Sequence, residues 1–118
     1  PLVVYGTGKQ TRCFIDVRDV VRLMDDVANN LKSVGDIINL GSDHEISINH
    51  LAELIKKIAG SSSEIQHISY EQAYGQAFED YPVRIPDLEK LKSYSSYSCQ
   101  WDLEKTLYNL IFNRTQKN

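Results

Sequence analysis

Residues 2–21 read LVVYGTGKQTRCFIDVRDVV, and this stretch decides the fold. The short β-branched run at residues 2–5 predicts a strand, and Gly6 and Gly8 predict a turn after it. Residues 13–17 form a second apolar stretch, which we expect to be extended. Apolar residues then recur at helical spacing, which predicts a helix from about Arg18. The side chains expected on its inward face are Val17, Val20, Val21, Met24, Val27, Ala28 and Leu31.

The rest of the chain alternates between strand-like and helical patterns. Residues 36–40 and 65–69 are predicted strands, and Ser47 is a favourable N-cap for a helix that Gly60 ends. Asp87 and Asp102 are predicted to cap a short helix and a final helix. The order predicts an α/β (mixed α+β) fold with short strands and three to four helices, in which residues 1–118 form one domain.

Composition excludes several classes of protein. Thirteen basic residues against 16 acidic residues give a net charge of −3, which is not the basic footprint of a nucleic-acid binder. No apolar run approaches the roughly 18 residues of a membrane span. Two cysteines without a disulfide framework favour a cytoplasmic location. The chain opens at Pro1 on a strand-like run, and we expect it to be a segment of a longer protein.

Three motifs that could carry chemistry have simpler interpretations. Tyr5 and Lys9 have the Tyr-x-x-x-Lys spacing of a dehydrogenase pair, but that pair needs a helix, and the two intervening glycines disfavour one. Cys13 is interpreted as a buried structural thiol. The three histidines lack the spacing of a metal site.

Two arginines are stronger candidates for binding a ligand. Arg12 follows the glycine turn and precedes an apolar stretch, and Arg84 lies between Pro82 and Pro86. Arginine suits bidentate contacts with phosphate, and a buried arginine needs a partner. From the residues alone, each arginine is equally compatible with a ligand and with an internal carboxylate.

The ordered set of motifs resembles the extended short-chain dehydrogenases, the NAD-dependent nucleotide-sugar epimerases and dehydratases. Residues 2–21 are similar to the family stretch written YGdGxQtRdFiyVdDvv, and INLG at residues 38–41 matches fNlG. VRIPD at residues 83–87 is similar to the family's R-x-P-D segment, and DLEKTL at residues 102–107 resembles its closing sLeegL. The resemblance covers nearly the whole chain in the family's order.

The resemblance implies a role for three residues. In that family the arginines of the Q-t-R and R-x-P-D segments contact the diphosphate of a nucleoside-diphosphate sugar. The residues at these positions here are Arg12 and Arg84. The family's aromatic residue before the glycine turn lies near the nucleoside, and the residue at this position here is Tyr5. Packing within the strand would also explain an aromatic residue there. The expected ligand is therefore a nucleoside-diphosphate sugar.

The dinucleotide fingerprint and a helical Tyr-x-x-x-Lys are absent from these 118 residues. The resemblance therefore implies a carboxyl-terminal, substrate-side lobe that lacks the Rossmann lobe, with NAD bound by a missing amino-terminal lobe. We expect this chain to be inactive alone and to form a homo-oligomer through apolar faces that lack their partner. A noncatalytic nucleotide-sugar binding or interaction module is the alternative.

Overall fold

The computed structural model describes residues 1–75 and 80–113 as a small mixed α/β fold. Four short strands alternate with helices along the chain. The strands are β1 (Leu2–Tyr5), β2 (Thr11–Cys13), β3 (Glu45–Ser47) and β4 (Ile65–Ile68). The helices are α1 (Val17–Ala28), α2 (Ile48–Ile58), α3 (Tyr70–Tyr74), α4 (Glu89–Tyr94) and α5 (Leu103–Phe112), with a 3-10 turn at Leu31–Ser33.

The helix count differs from the expected three to four. The described part of the chain contains five helices, of which α1, α2 and α5 are long. The additional element is α3, a five-residue helix that Ser69 and Gln72 close with a reciprocal capping box. Gly75 ends it at a φ of 84°, a positive φ that favours glycine.

The strands form two separate two-stranded sheets. β1 pairs with β4 in parallel, and β2 pairs with β3 antiparallel, with Arg12 opposite Ile46. The turn between β1 and β2 closes on Asn49 of α2, whose backbone N–H donates to Gly8 O at 2.9 Å. Gly8 has a φ of 69°, and a Cβ there would overlap the Asn49 side chain. This turn confirms that Tyr5 and Lys9 do not share a helix.

The predicted helix α1 is present, but its inward face is only partly the predicted one, because Val27 packs against the core while several other predicted residues do not. Leu23 is buried against Leu88 and Leu91 of the α4 region. The apolar residues Val17, Val21 and Met24 are instead 70%, 59% and 55% exposed. Helical spacing identifies residues that share a face, but it cannot say which of two faces the rest of the chain will cover.

Asp19 lies on the covered face of α1 and is fully buried. Its carboxylate accepts hydrogen bonds from the Tyr97 hydroxyl at 2.7 Å and from the backbone N–H groups of Gln100 and Trp101 at 3.1 and 3.0 Å. Burial by itself raises the pKa of Asp19, but these three donors outweigh it and hold the pKa below its ordinary value. The carboxylate therefore ties α1 to the segment that leads into α5.

Asp16 makes a second connection between the same elements. It caps α1 by accepting from Arg18 N at 2.9 Å, and it accepts from the Thr106 hydroxyl of α5 at 2.8 Å. The Arg18 guanidinium donates twice to Asp16 and stacks 3.3 Å from the centre of the Trp101 ring. Hydrogen bonding from the Arg18 side chain is the main reason why the pKa of Asp16 lies far below its ordinary value.

The segment at residues 36–40 is not a strand, contrary to the prediction. Ile38 and Leu40 pack against the Leu23 cluster, while Ile37 is 87% exposed. The alternation that predicted a strand is therefore real, but no described segment supplies the neighbouring backbone that a strand requires.

The remaining predicted helices are confirmed, and so are the caps at Ser47 and Asp102. The Ser47 hydroxyl accepts from His50 N at 3.2 Å at the start of α2, and Gly60 follows the end of that helix at a φ of 59°. Asp102 accepts from Lys105 N at 2.8 Å before α5. The N-cap of α4 is Leu88 rather than the predicted Asp87, although the Asp87 carboxylate accepts from Glu89 N at 2.9 Å. Within residues 1–75 and 80–113, no helix has the length and apolar character to cross a bilayer.

Replacing Asp19 by alanine is expected to destabilise the chain by about 3 kcal/mol or more, because the buried N–H groups of Gln100 and Trp101 and the Tyr97 hydroxyl lose their acceptor. Urea denaturation measures this change. Asp25→Ala, at an exposed position of the same helix, should change the free energy of unfolding by less than about 0.5 kcal/mol. Equal effects of the two substitutions would contradict the anchoring role of Asp19.

Stability should also fall in acid. Because Asp16 and Asp19 have lowered pKa values in the folded chain, the unfolded chain binds more protons once the pH approaches the ordinary aspartate pKa of about 3.9. Their contribution is complete above about pH 5 and is lost as the pH falls towards the folded pKa values. Asp16→Asn keeps a capping oxygen but cannot titrate there, so its urea midpoint should fall less between pH 5 and pH 3. Parallel pH profiles for the two proteins would show that Asp16 does not contribute.

Candidate functional site

Arg12 lies at the centre of β2, with its side chain 20% exposed. One terminal nitrogen, Nη1, donates to Thr11 O at 2.6 Å and to Tyr81 O at 3.0 Å. The other, Nη2, forms an ion pair with Asp80. The strand and the Tyr81 carbonyl therefore fix the guanidinium in one orientation.

Arg84 lies on the segment between Pro82 and Pro86, and this segment runs beside β2. The Thr11 N–H donates to Pro82 O at 2.9 Å, which holds the two stretches of backbone together. Arg12 and Arg84 consequently line one open cavity of about 520 Å³, together with Cys13, Ile85 and Pro86. Two arginines that are 72 positions apart in sequence thus face the same space.

The two guanidinium groups differ in their surroundings. Arg12 is paired with a carboxylate, whereas Arg84 is exposed and makes no hydrogen bond or ion pair with any residue of the ranges 1–75 and 80–113. The sequence left a ligand and an internal carboxylate open for each arginine. The structure gives Arg12 an internal carboxylate and leaves Arg84 without one among these residues.

Asp80 also accepts from the Tyr70 hydroxyl at 2.9 Å, so Tyr70, Asp80 and Arg12 form a connected chain of hydrogen bonds. Burial, followed by the bond to Asp80, raises the pKa of Tyr70, which keeps the hydroxyl protonated as a donor. Sequence reasoning missed this connection, because the adjacent carboxylates Glu79 and Asp80 are typical of a solvated loop and Asp80 is 68 positions from Arg12. Glu79 lies outside the described residues.

Tyr5 lies on the other side of Arg12. Its ring meets that of Tyr74 edge-to-face at 5.2 Å between centroids, and its backbone carbonyl accepts from the Gln10 amide at 3.0 Å. A second cavity, of about 220 Å³, is lined by Tyr5 and Arg12 together with Tyr70, Tyr74 and Asp80. Arg12 therefore contributes to both cavities, and the three residues singled out from the sequence are brought together around it.

Other candidates for chemistry are not supported by their surroundings. Burial, with smaller contributions from Glu45 and Asp43, raises the pKa of the Cys13 thiol and keeps it in its unreactive protonated form. The described residues contain no cluster of three or more histidine, cysteine or carboxylate side chains that could hold a metal ion.

A larger cavity, of about 610 Å³, lies between the end of β2, α2 and the start of α5. Its charged side chains include Glu45, Asp102 and Glu104 against Lys105, and it contains no arginine. An excess of carboxylates is unfavourable for a phosphate ligand. The smaller cavity between the two arginines is therefore the better candidate for an anion site.

Comparison with known proteins gives a consistent result. Residues 1–41 match the model of the NAD dependent epimerase/dehydratase family. A UDP-N-acetyl-alpha-D-glucosaminuronate decarboxylase of Bacillus cytotoxicus is 44% identical over 114 residues, which cover 93% of this chain and 34% of that protein. UDP-glucuronic acid decarboxylase 1 of Xenopus tropicalis is 36% identical over 110 residues, which cover 93% of this chain and 24% of that protein.

A solved structure shares the fold of this chain. The crystal structure of a mutant UDP-glucuronic acid 4-epimerase from Bacillus cereus, in complex with a fluorinated UDP-glucuronic acid and NAD, superimposes with a TM-score of 0.82. The match is 24% identical and covers 100% of this chain but 36% of that one. The chain thus spans about a third or less of the length of these relatives. Nearly the whole chain is therefore similar to a portion of these decarboxylases, and residues 1–41 match the NAD dependent epimerase/dehydratase family.

Proposed function

We propose that this chain is the carboxyl-terminal, substrate-binding part of an NAD-dependent nucleotide-sugar epimerase, dehydratase or decarboxylase. The observation that carries the proposal is the cavity lined by both Arg12 and Arg84. The similar proteins are decarboxylases and a 4-epimerase of UDP-linked uronic acids, which favours a nucleoside-diphosphate sugar as the ligand class.

The diphosphate is proposed to lie between the two guanidinium groups. A diphosphate presents several strong acceptor oxygens, and arginine can meet two of them with parallel N–H groups. Arg84 provides a charge without a partner among the described residues, and Arg12 provides a fixed set of donors on β2. Together they line one anion site.

The nucleoside is proposed to extend towards Tyr5. The Tyr5 ring is 41% exposed beside the second cavity, which shares Arg12 with the first. A ligand whose phosphates contact Arg12 could therefore place its sugar–base end against Tyr5 and Tyr74. Aromatic faces suit nucleobases because stacking requires no particular hydrogen-bond pattern.

The described residues do not fit NAD. The glycine turn after β1 leads into β2 rather than into a helix, so this turn offers no helix N-terminus to a pyrophosphate. We propose that NAD binds to the remainder of a longer protein and that this chain alone is inactive. The residues of this chain bind and orient the substrate, and they carry out no step of the hydride chemistry.

In the full-length enzyme that we propose contains this segment, Arg84→Ala is expected to weaken UDP binding by roughly tenfold to a hundredfold, since each charge-assisted contact is worth about 1.5–3 kcal/mol. Its melting temperature should not change, because Arg84 loses no described partner. Arg12→Ala should weaken UDP binding and also lower the melting temperature, because it leaves Asp80 unpaired. Isothermal titration with UDP and thermal denaturation measure the two effects.

The matched control is Arg22→Ala, which removes an exposed arginine that lines neither of the two cavities around Arg12. It should leave UDP affinity unchanged, which excludes a general effect of net charge. If Arg84→Ala leaves UDP affinity unchanged, the diphosphate assignment is wrong.

The exposed apolar face of α1 is proposed to be covered by the rest of the full-length protein. In the isolated chain, Val17, Val21 and Met24 on this face are exposed to water. Ile37, in the segment of residues 36–40, is also exposed. Contiguous exposed apolar surface favours association. We therefore propose that the isolated chain forms homo-oligomers through this face.

The double substitution Val21→Lys and Met24→Lys should shift the isolated chain towards monomer in light scattering, because it places two like charges on the associating face. Asp25→Lys, which adds charge to the same helix at an exposed polar position, should leave the oligomeric state unchanged. A monomeric parent chain at high concentration would refute the association.

A further inference from the structure

The Arg12 side chain is already occupied before any ligand binds. Three of its five N–H donors are used by described acceptors, namely Thr11 O, Tyr81 O and Asp80. Thr11 O and Tyr81 O are neutral carbonyls, but Asp80 carries a full negative charge. Asp80 therefore differs from the other two, because it offsets the charge of Arg12 as well as accepting a hydrogen bond from it.

We infer that Asp80 sets the anion affinity of the cavity between Arg12 and Arg84, by competing with ligand phosphates for the Arg12 guanidinium. The inference rests on the proposed function and adds a residue to it that neither the sequence motifs nor the comparisons assign. Asp80 is a specificity-determining residue rather than a catalytic one, since it acts on the ligand through Arg12.

The charges around the cavity give the direction of the effect. Arg12 and Asp80 sum to zero, so the arginine pair offers one net positive charge instead of two. A phosphate that approaches the remaining Arg12 donors also approaches the Asp80 carboxylate, and like charges at this range repel. No described carboxylate offsets the charge of Arg84, so Arg84 attracts an anion more strongly than Arg12 does.

Asp80 is held in place for this role. Its second oxygen, Oδ2, accepts from the Tyr70 hydroxyl at 2.9 Å, and the Tyr70 ring lies against Gly6, where an added Cβ would come within 2.5 Å of it. The raised pKa of Tyr70 keeps its hydroxyl a donor. With Oδ1 on Arg12 and Oδ2 on Tyr70, the carboxylate has defined positions for both oxygens.

The contact also explains how Arg12 can lie mostly buried without a ligand. An arginine side chain that is 20% exposed would be costly to leave unpaired, and Asp80 satisfies it in the free protein. A bound diphosphate takes over that role at the expense of the Asp80 contact. Binding is then an exchange of anions around Arg12, which lowers the affinity for the nucleotide and favours its release.

The test compares Asp80→Asn with the parent in the full-length enzyme. Asparagine has nearly the same shape, retains an oxygen for Arg12 and removes the charge. UDP should bind about twofold to fivefold more tightly, the scale of one partly exposed charge pair. Uridine, which carries no phosphate, should bind with unchanged affinity. A purely structural role would not separate the two ligands in this way.

The matched control is Asp36→Asn. Asp36 likewise bridges a cation and a tyrosine, accepting from Lys90 Nζ at 3.1 Å and from the Tyr94 hydroxyl at 2.5 Å, but it lines neither cavity around Arg12. It should leave the affinities for UDP and uridine unchanged. If Asp80→Asn does not fold, Asp80→Ser removes the same charge and repeats the comparison.

Unchanged or weaker UDP binding by Asp80→Asn, or equal tightening of UDP and uridine, would overturn the inference. The Arg84→Ala variant separates this failure from failure of the proposed function. If Arg84→Ala weakens UDP binding while Asp80→Asn does not tighten it, the diphosphate site stands and the role of Asp80 falls. If Arg84→Ala has no effect, the site itself is wrong.

Discussion

The fully buried carboxylate of Asp19 is the constraint on which the rest of the structure depends. A carboxylate without water is tolerated only when hydrogen bonds compensate it, and here the donors are Tyr97 and the backbone at Gln100 and Trp101. These donors are about 80 positions away in sequence, so they can meet Asp19 only when the chain has closed on itself. Asp16, three residues earlier, accepts a hydrogen bond from the Thr106 hydroxyl, which also holds α1 against α5.

This closure also shapes the candidate site. β2 runs into Asp16 and α1, which fixes the strand that carries Arg12. Leu88 and Leu91 pack on Leu23 of α1, which brings the segment before them alongside β2. Arg84 lies on that segment, and the bond from Thr11 N to Pro82 O completes the alignment. The cavity between the arginines is thus a consequence of the same packing that buries Asp19.

Electrostatics then distinguishes two residues that look equivalent in the sequence. Arg12 is held by a strand, two carbonyls and Asp80, and its charge is offset. Arg84 is exposed and has no described counterion. A site with one fixed, neutralised arginine and one free arginine combines orientation with attraction, and neither property can be read from the residue type alone.

The sequence by itself determined the local features and the family resemblance. The Ser47 and Asp102 caps, the glycine turn after β1 and the strand at Ile65–Ile68 could all be predicted, because they depend on neighbouring residues. The ligand contacts of Arg12 and Arg84 follow from motif order and stay a proposal. Tertiary structure alone decided which face of α1 is covered, that residues 36–40 have no pairing strand among the described residues, and that Asp80 meets Arg12. Those outcomes depend on which distant segment arrives at each surface, and the periodicity of a sequence contains no information about that.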